Sequence, residues 1–274
     1  MKKILAFSLL SLTALGQSKP LVSHMFTADP SAHVFQGQIY IYPSHDIDAG
    51  VKEDDLGSHF AMEDYHILSM ETPDSNVVVD HGVALHINDV AWASQQMWAP
   101  DAACKDGKYY LYFPAKNHDG LFQIGVAIGD HPEGPFTPEP AAIVGSYSID
   151  PAVFKDDDGK YYMYFGGIWG GQLQSYRNNT YNSNHKEPEN NEPALGPRVA
   201  LLTDDMTQFA SPVAEIIIID ENGVPLDVPP ITPETEQEKA VFEGAERRRE
   251  VRLVLAGKIK AHEAEALKKL FSQE

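Results

Sequence analysis

Cysteine is nearly absent from this 274-residue sequence. Cys104 stands alone, so no intrachain disulfide can form, and its place between Ala103 and Lys105 reads as that of a small core residue. Positive charge is scarce as well. Lys and Arg number 21 against 40 Asp and Glu, a formal net charge of −19. A surface with so few cations lacks the basic clusters that phosphate binding requires, which excludes nucleic acid as a partner. Long apolar runs are missing too. The longest, residues 4–15, is too short to span a bilayer, so no membrane partner is expected. Lys2 and Lys3 precede that run, and the small residues Ala14 and Gly16 close it near Gln17. This is the layout of a signal peptide over residues 1–16, and it predicts a secreted or periplasmic protein. No Cys follows the expected cut, so a lipid anchor is not indicated.

From residue 26 to about residue 165 a strong helical period is also lacking. In its place stand short β-rich runs punctuated by Gly, Asp, Asn and Pro. One phrase recurs three times. Asp29-Pro30 leads to Gly37 and Ile39-Tyr40-Ile41-Tyr42; Ala99-Pro100 leads to Gly107 and Tyr109-Tyr110-Leu111-Tyr112; Asp150-Pro151 leads to Gly159 and Tyr161-Tyr162-Met163-Tyr164. The interval from Pro to Gly is the same in the first two copies and one residue longer in the third. Repeats built as strand, Gly turn and strand are the mark of propeller blades. The expected fold is therefore all-β, of the β-propeller type, with about three recognisable blades in residues 26–226. Blades surround one cavity, so Asp29 and Asp150 are expected to face each other.

Residues 177–197 are rich in Asn, Glu and Pro and read as a long loop of the kind that often carries function. After about residue 226 the texture changes to Glu, Ala, Lys and Arg. Thr232-Pro233-Glu234 is a good helix start, and helices are expected to about residue 256 and over residues 261–271. Residues 227–274 thus form a divergent helical tail. The acidic stretch from Asp46 to Asp55 lacks the Gly and closing Glu of a helix-loop-helix calcium loop and reads as solvated.

An Asp before Pro is ordinary turn chemistry in a single copy. Two such Asp with Ala99 between them suggest function, because a purely structural need should not distinguish the copies. Inverting hydrolysis of a glycosidic bond needs one carboxylate to activate water and a second group to protonate the leaving oxygen, roughly 6.5–9.5 Å apart. The segments Ala28-Asp29-Pro30, Tyr42-Pro43-Ser44-His45-Asp46, Met97-Trp98-Ala99-Pro100-Asp101 and Ser148-Ile149-Asp150-Pro151-Ala152-Val153-Phe154, continued by residues 161–171, resemble glycoside hydrolase family 43. The resemblance implies a five-bladed β-propeller enzyme acting with inversion on xylosides or arabinosides of plant cell-wall polysaccharide. Its substrate would be a xylo- or arabino-oligosaccharide. No redox or organic cofactor is implied. Some propellers of this kind hold an ion in the central channel, but the late blades that would line it are not recognisable, and no metal ligand is named.

Carried over residue by residue, Asp29 matches the general base and Asp150 the acid that tunes and orients the proton donor. Trp98 and Trp169 match substrate-facing aromatics, with core packing as the alternative for each. His45 and Asp46 fall on a motif near the sugar, or else supply turn polarity. Arg198 either reaches the pocket or makes a surface ion pair. The proton donor of the family is a Glu in a phrase like Phe242-Glu243-Gly244, which makes Glu243 the candidate acid; the alternative is a solvated helix residue. After Gly244 the aromatic residue and further strands expected of the family give way to Glu246-Arg247-Arg248-Arg249-Glu250. The chain thus looks truncated or divergent after about residue 226, which makes a sugar-binding relic the second reading. Bare blade faces and edges are then expected.

Overall fold

Each copy of the repeat opens an antiparallel sheet. The computed structural model describes residues 20–54, 56–75, 77–189, 192 and 194–217, together with Lys239, Glu250, Val251, Val254, Lys260 and Ala264. The chain divides into two units, Met1–Ile218 and Ile219–Glu274. The expected signal peptide lies outside the described residues. So do most of the expected tail helices; of the described tail positions, Lys239, Glu250, Val251 and Val254 are helical.

The first sheet runs β1 (Phe26–Phe35), β2 (Gln38–Asp46), β3 (Asp64–Met70) and β4 (Val79–His86), each strand paired with the next in chain order. The second contains β5 (Ala93–Gln95), β6 (Asp101–Lys105), β7 (Lys108–Asn117), β8 (Phe122–Gly129) and β9 (Thr137–Pro138). Strands β6 to β9 pair in succession, and β5 pairs with the far end of β7. The third repeats the pattern with β10 (Ala152–Lys155), β11 (Tyr161–Phe165), β12 (Arg198–Leu201) and β13 (Ala214–Glu215).

Turn chemistry explains the spacing of the repeat. In the first two hairpins, Gln36-Gly37 and Asp106-Gly107 both have positive φ at both residues, the pattern of a two-residue type I′ turn. In the third, the Gly159 N–H closes onto the Asp156 carbonyl and only Gly159 among the turn residues is left-handed. That is the three-residue hairpin, and it accounts for the extra residue.

The period of two in β7 joins the sheets. Tyr109, Leu111 and Phe113 belong to a core shared with Tyr40, Tyr42, Tyr65 and Ile67 of the first sheet. Tyr110 and Tyr112, on the opposite face, pack with Tyr161, Met163 and Phe165 of the third. The middle sheet is covered on both faces. On the third sheet, by contrast, Phe154 is 55% and Tyr164 37% exposed.

The opening strands β1, β6 and β10 are tied together by one buried carboxylate. Asp101 accepts hydrogen bonds from a ring nitrogen of His33 at 2.6 Å and from the backbone N–H of Val153 at 2.6 Å. This link sets the three copies of the repeat side by side.

Candidate active site

Asp29 sits in a bulge of β1, where the register with β2 slips between Ala28 and Ser31. Asp150 immediately precedes Pro151 and β10. Both adopt the left-handed backbone, φ 45° and 58°. Asp tolerates this region better than most residues, but it still stores strain of the sort that collects at functional sites. Ala99, the equivalent residue of the middle copy, is not left-handed.

All three positions line two cavities of about 760 and 640 Å³. The larger is walled by Asp29, Asp46, Ala99 and Asp150 with the aromatics Phe60, Trp98 and Trp169. Its size suits a small ligand. Asp46 is held by the buried Ser44 hydroxyl at 3.0 Å. Ser148 fixes the approach to Asp150: its hydroxyl donates to the Gly167 carbonyl at 3.1 Å and accepts from the Gly167 N–H at 3.0 Å. A side chain at Gly167 would meet Ile149 at 2.8 Å, so the absence of one lets this segment close against Asp150.

Burial first, and the negative charge of Asp29 second, push the Asp150 carboxyl from 3.8 up to about 6. Ionising Asp150 beside Asp29 places a second negative charge in a space with apolar walls, which disfavours the charged form. Two acids in one cleft, one of them retaining its proton to about pH 6, form the kind of pair that acid–base chemistry uses.

The two tryptophans differ. Trp98 is wedged between Gly57 and Gly170, where an added Cβ would come within 2.8 and 2.7 Å of its ring. Its indole N–H donates to the Phe60 carbonyl at 2.7 Å, so it is both packed and cleft-lining. Trp169 is 64% exposed at φ 55°, on a short 3₁₀ turn at the rim, and is not a core residue.

The remaining candidates are placed elsewhere. His45 does not line either cavity; its Nδ1 lies 2.5 Å from an oxygen of Asp64. Arg198 is fully buried and does not line them either. Its guanidinium donates to the Tyr147 hydroxyl at 3.0 Å and to the Gly196 carbonyl, and it pairs with Glu215 at 3.2 Å. Those partners turn it into the third sheet instead of the cleft. Glu243 lies outside the described residues. Sequence reasoning overlooked Phe60, 45% exposed in the cleft wall, and Glu187, which lines the cleft from the polar loop. The loop was recognisable by its composition; the residue within it that lines the cleft was not.

Similarity to known proteins places the chain in a family. Residues 17–198 match the family model for glycosyl hydrolases family 43. A xylosidase/arabinosidase of Humicola insolens is 59% identical over 215 residues, covering 76% of this chain and 66% of that protein. One from Bacteroides ovatus is 51% identical over 210 residues, covering 77% and 65%. A family 43 β-xylosidase/α-arabinofuranosidase from a compost microbial metagenome, crystallised with xylotriose, superposes with TM-score 0.72 at 63% identity, over 76% of this chain and 64% of that one. The chain therefore spans about two thirds or less of the length of these relatives. With a family-model match over residues 17–198 and relatives 51–59% identical, the chain belongs to glycosyl hydrolases family 43.

Proposed function

We propose that the protein is a secreted glycoside hydrolase that cleaves xylosidic or arabinosidic bonds with inversion. The observation that carries this reading is the convergence of Asp29 and Asp150, from two copies of the repeat, on one aromatic-walled cleft. Asp29 accepts a proton from water as the water attacks the anomeric carbon. Asp150, whose carboxyl its surroundings push up to about 6, keeps the proton donor poised. Glu243 is the residue assigned to protonate the leaving oxygen. Trp98, Trp169 and Phe60 offer apolar faces to sugar rings. The relatives that were crystallised with xylotriose support a pentose oligosaccharide as substrate. The three successive antiparallel sheets, of four, five and four strands, fit three blades of a five-bladed propeller, followed by the tail.

Hydrolysis of aryl β-xyloside and aryl α-L-arabinofuranoside by the full chain tests this, with Asp29→Asn as control and NMR of the first-formed anomer as the test of inversion. Turnover lost in the control is expected. The second reading, a protein that binds sugars without cleaving them, is favoured by the charged run Glu246-Arg247-Arg248-Arg249-Glu250, which stands where the family resemblance calls for an aromatic residue and a strand. It predicts xylotriose binding with no turnover from folded protein.

A further inference from the structure

Outside the cleft, the first sheet gathers two imidazoles and a carboxylate. His45 lies on β2, and Asp64 and His66 lie on β3. Asp64 and His66 are two residues apart and share the face of β3 opposite Tyr65 and Ile67, which are buried in the core. One ligand atom from each of the three lies within 4.8 Å of the others.

Their position in the sheet is unusual. The ladder between β2 and β3 pairs only Ile39, Tyr40 and Ile41 with Met70, Ser69 and Leu68. Carried onward, the same register sets Pro43 opposite His66 and His45 opposite Asp64. Pro43 has no N–H to continue the ladder. The cluster thus occupies the stretch where the two strands stop bonding through their backbones.

The ring of His66 is oriented by a partner of its own. Its Nδ1 lies 2.9 and 3.2 Å from the two oxygens of Asp80 on β4, and Nε2 has no hydrogen-bond partner among the described residues. Asp80 is in turn fixed by the Gly82 N–H at 2.8 Å and by His24 at 2.7 Å. A carboxylate holding one ring nitrogen so that the other is presented is the outer-shell arrangement typical of metal-binding histidines. The side chains of His45, Asp64 and His66 are each about one fifth exposed, at 20%, 18% and 18%, so water can reach them and complete a coordination sphere.

We propose that His45, Asp64 and His66 form a binding site for a divalent transition metal such as zinc, supported from behind by Asp80. Two imidazoles with one carboxylate favour zinc and its neighbours over calcium or magnesium, which prefer oxygen-only sets. Bond lengths of about 2.0–2.2 Å require the three ligand atoms to draw together by roughly an ångström. The bound ion would replace the missing ladder between β2 and β3. It would also stiffen the end of β2, where the next residue, Asp46, lines the cleft.

The test is calorimetric titration of the chelator-stripped full chain with zinc chloride, with calcium chloride as comparison. One equivalent of zinc bound at micromolar or tighter affinity, with a rise in melting temperature and no comparable effect of calcium, is expected. His45→Ala and His66→Ala should each weaken that binding at least tenfold, and Asp80→Asn by about 10–100-fold. Should either alanine variant fail to fold, His66→Gln and Asp64→Asn keep similar shape and carry the same expectation. Absence of stoichiometric binding, binding undiminished in these variants, or calcium bound as tightly as zinc would each overturn the assignment.

Discussion

The first and third copies of the repeat place an acid on a left-handed backbone, whereas the middle copy places Ala99 on an ordinary one. All three residues border the same two cavities. The copies therefore differ in backbone as well as in side chain. A left-handed position tolerates Asp and Asn but penalises Ala, so local conformation and chemistry select together at Asp29 and Asp150. Structural need therefore does not treat the copies alike, because the backbone already sets Ala99 apart.

The largest expected consequence concerns the two acids as chemical groups. Asn suits the left-handed backbone as well as Asp does, so Asp29→Asn removes the charge and leaves the bulge intact. Loss of a general base lowers kcat by about 10²–10⁴-fold. Ala99→Ser, at the equivalent position without an acid, should leave kcat within about twofold. Steady-state hydrolysis of an aryl xyloside reads both. If the two variants lose comparable activity, the division between acidic and neutral copies has no catalytic meaning.

Much of this arrangement is written in the sequence, and what is not has identifiable causes. The repeat revealed the sheets because Gly37, Gly107 and Gly159 all need positive φ, a local demand that leaves a local mark. The repeat led to Asp29 and Asp150 facing one cavity, whereas the placing of Asp46, Trp98 and Trp169 beside them followed from the resemblance of their segments to family 43. Arg198 was misleading, since its partners Tyr147 and Glu215 lie 51 and 17 positions away and no motif predicts that an arginine will be buried against them. Phe60 and Glu187 depend on the path of irregular loops, which composition flags without orienting. The His45, Asp64 and His66 cluster arises from strand register, which becomes visible only once β2 and β3 are paired.

A smaller effect separates the acids as electrostatic groups. The folded-state pKa of Asp150, about 6, stands above its ordinary 3.8, so the folded chain binds this proton more tightly than the unfolded chain. Below about pH 3 the carboxyl is neutral in both states and carries no penalty, and near pH 4 only a small part of the penalty has appeared. The penalty grows as pH rises through the interval and is complete above about pH 6. Asp150→Asn should therefore match the parent in stability near pH 4 and exceed it at pH 7. Solvent in the open cleft screens the charge, which brings the expected gain to about 1–2 kcal/mol. Denaturant unfolding at the two pH values measures it; a gain of equal size at pH 4 would show that the charge is not its source.

The smallest effect isolates the backbone. Glycine adopts positive φ without the steric cost that a Cβ incurs, about 1 kcal/mol. Asp150→Gly should be more stable than Asp150→Ala by about that amount, since both lack the carboxyl and differ only in tolerance of φ 58°. At position 99 the order should reverse, because Ala99 occupies a conformation open to any residue and Ala99→Gly only adds freedom to the unfolded chain. Equilibrium unfolding at pH 4, where the Asp150 charge is absent, compares the pairs on equal terms. The same sign at both positions would mean that the left-handed backbone of the acidic copy is not what distinguishes it, and the difference between the copies would then rest on the carboxylates alone.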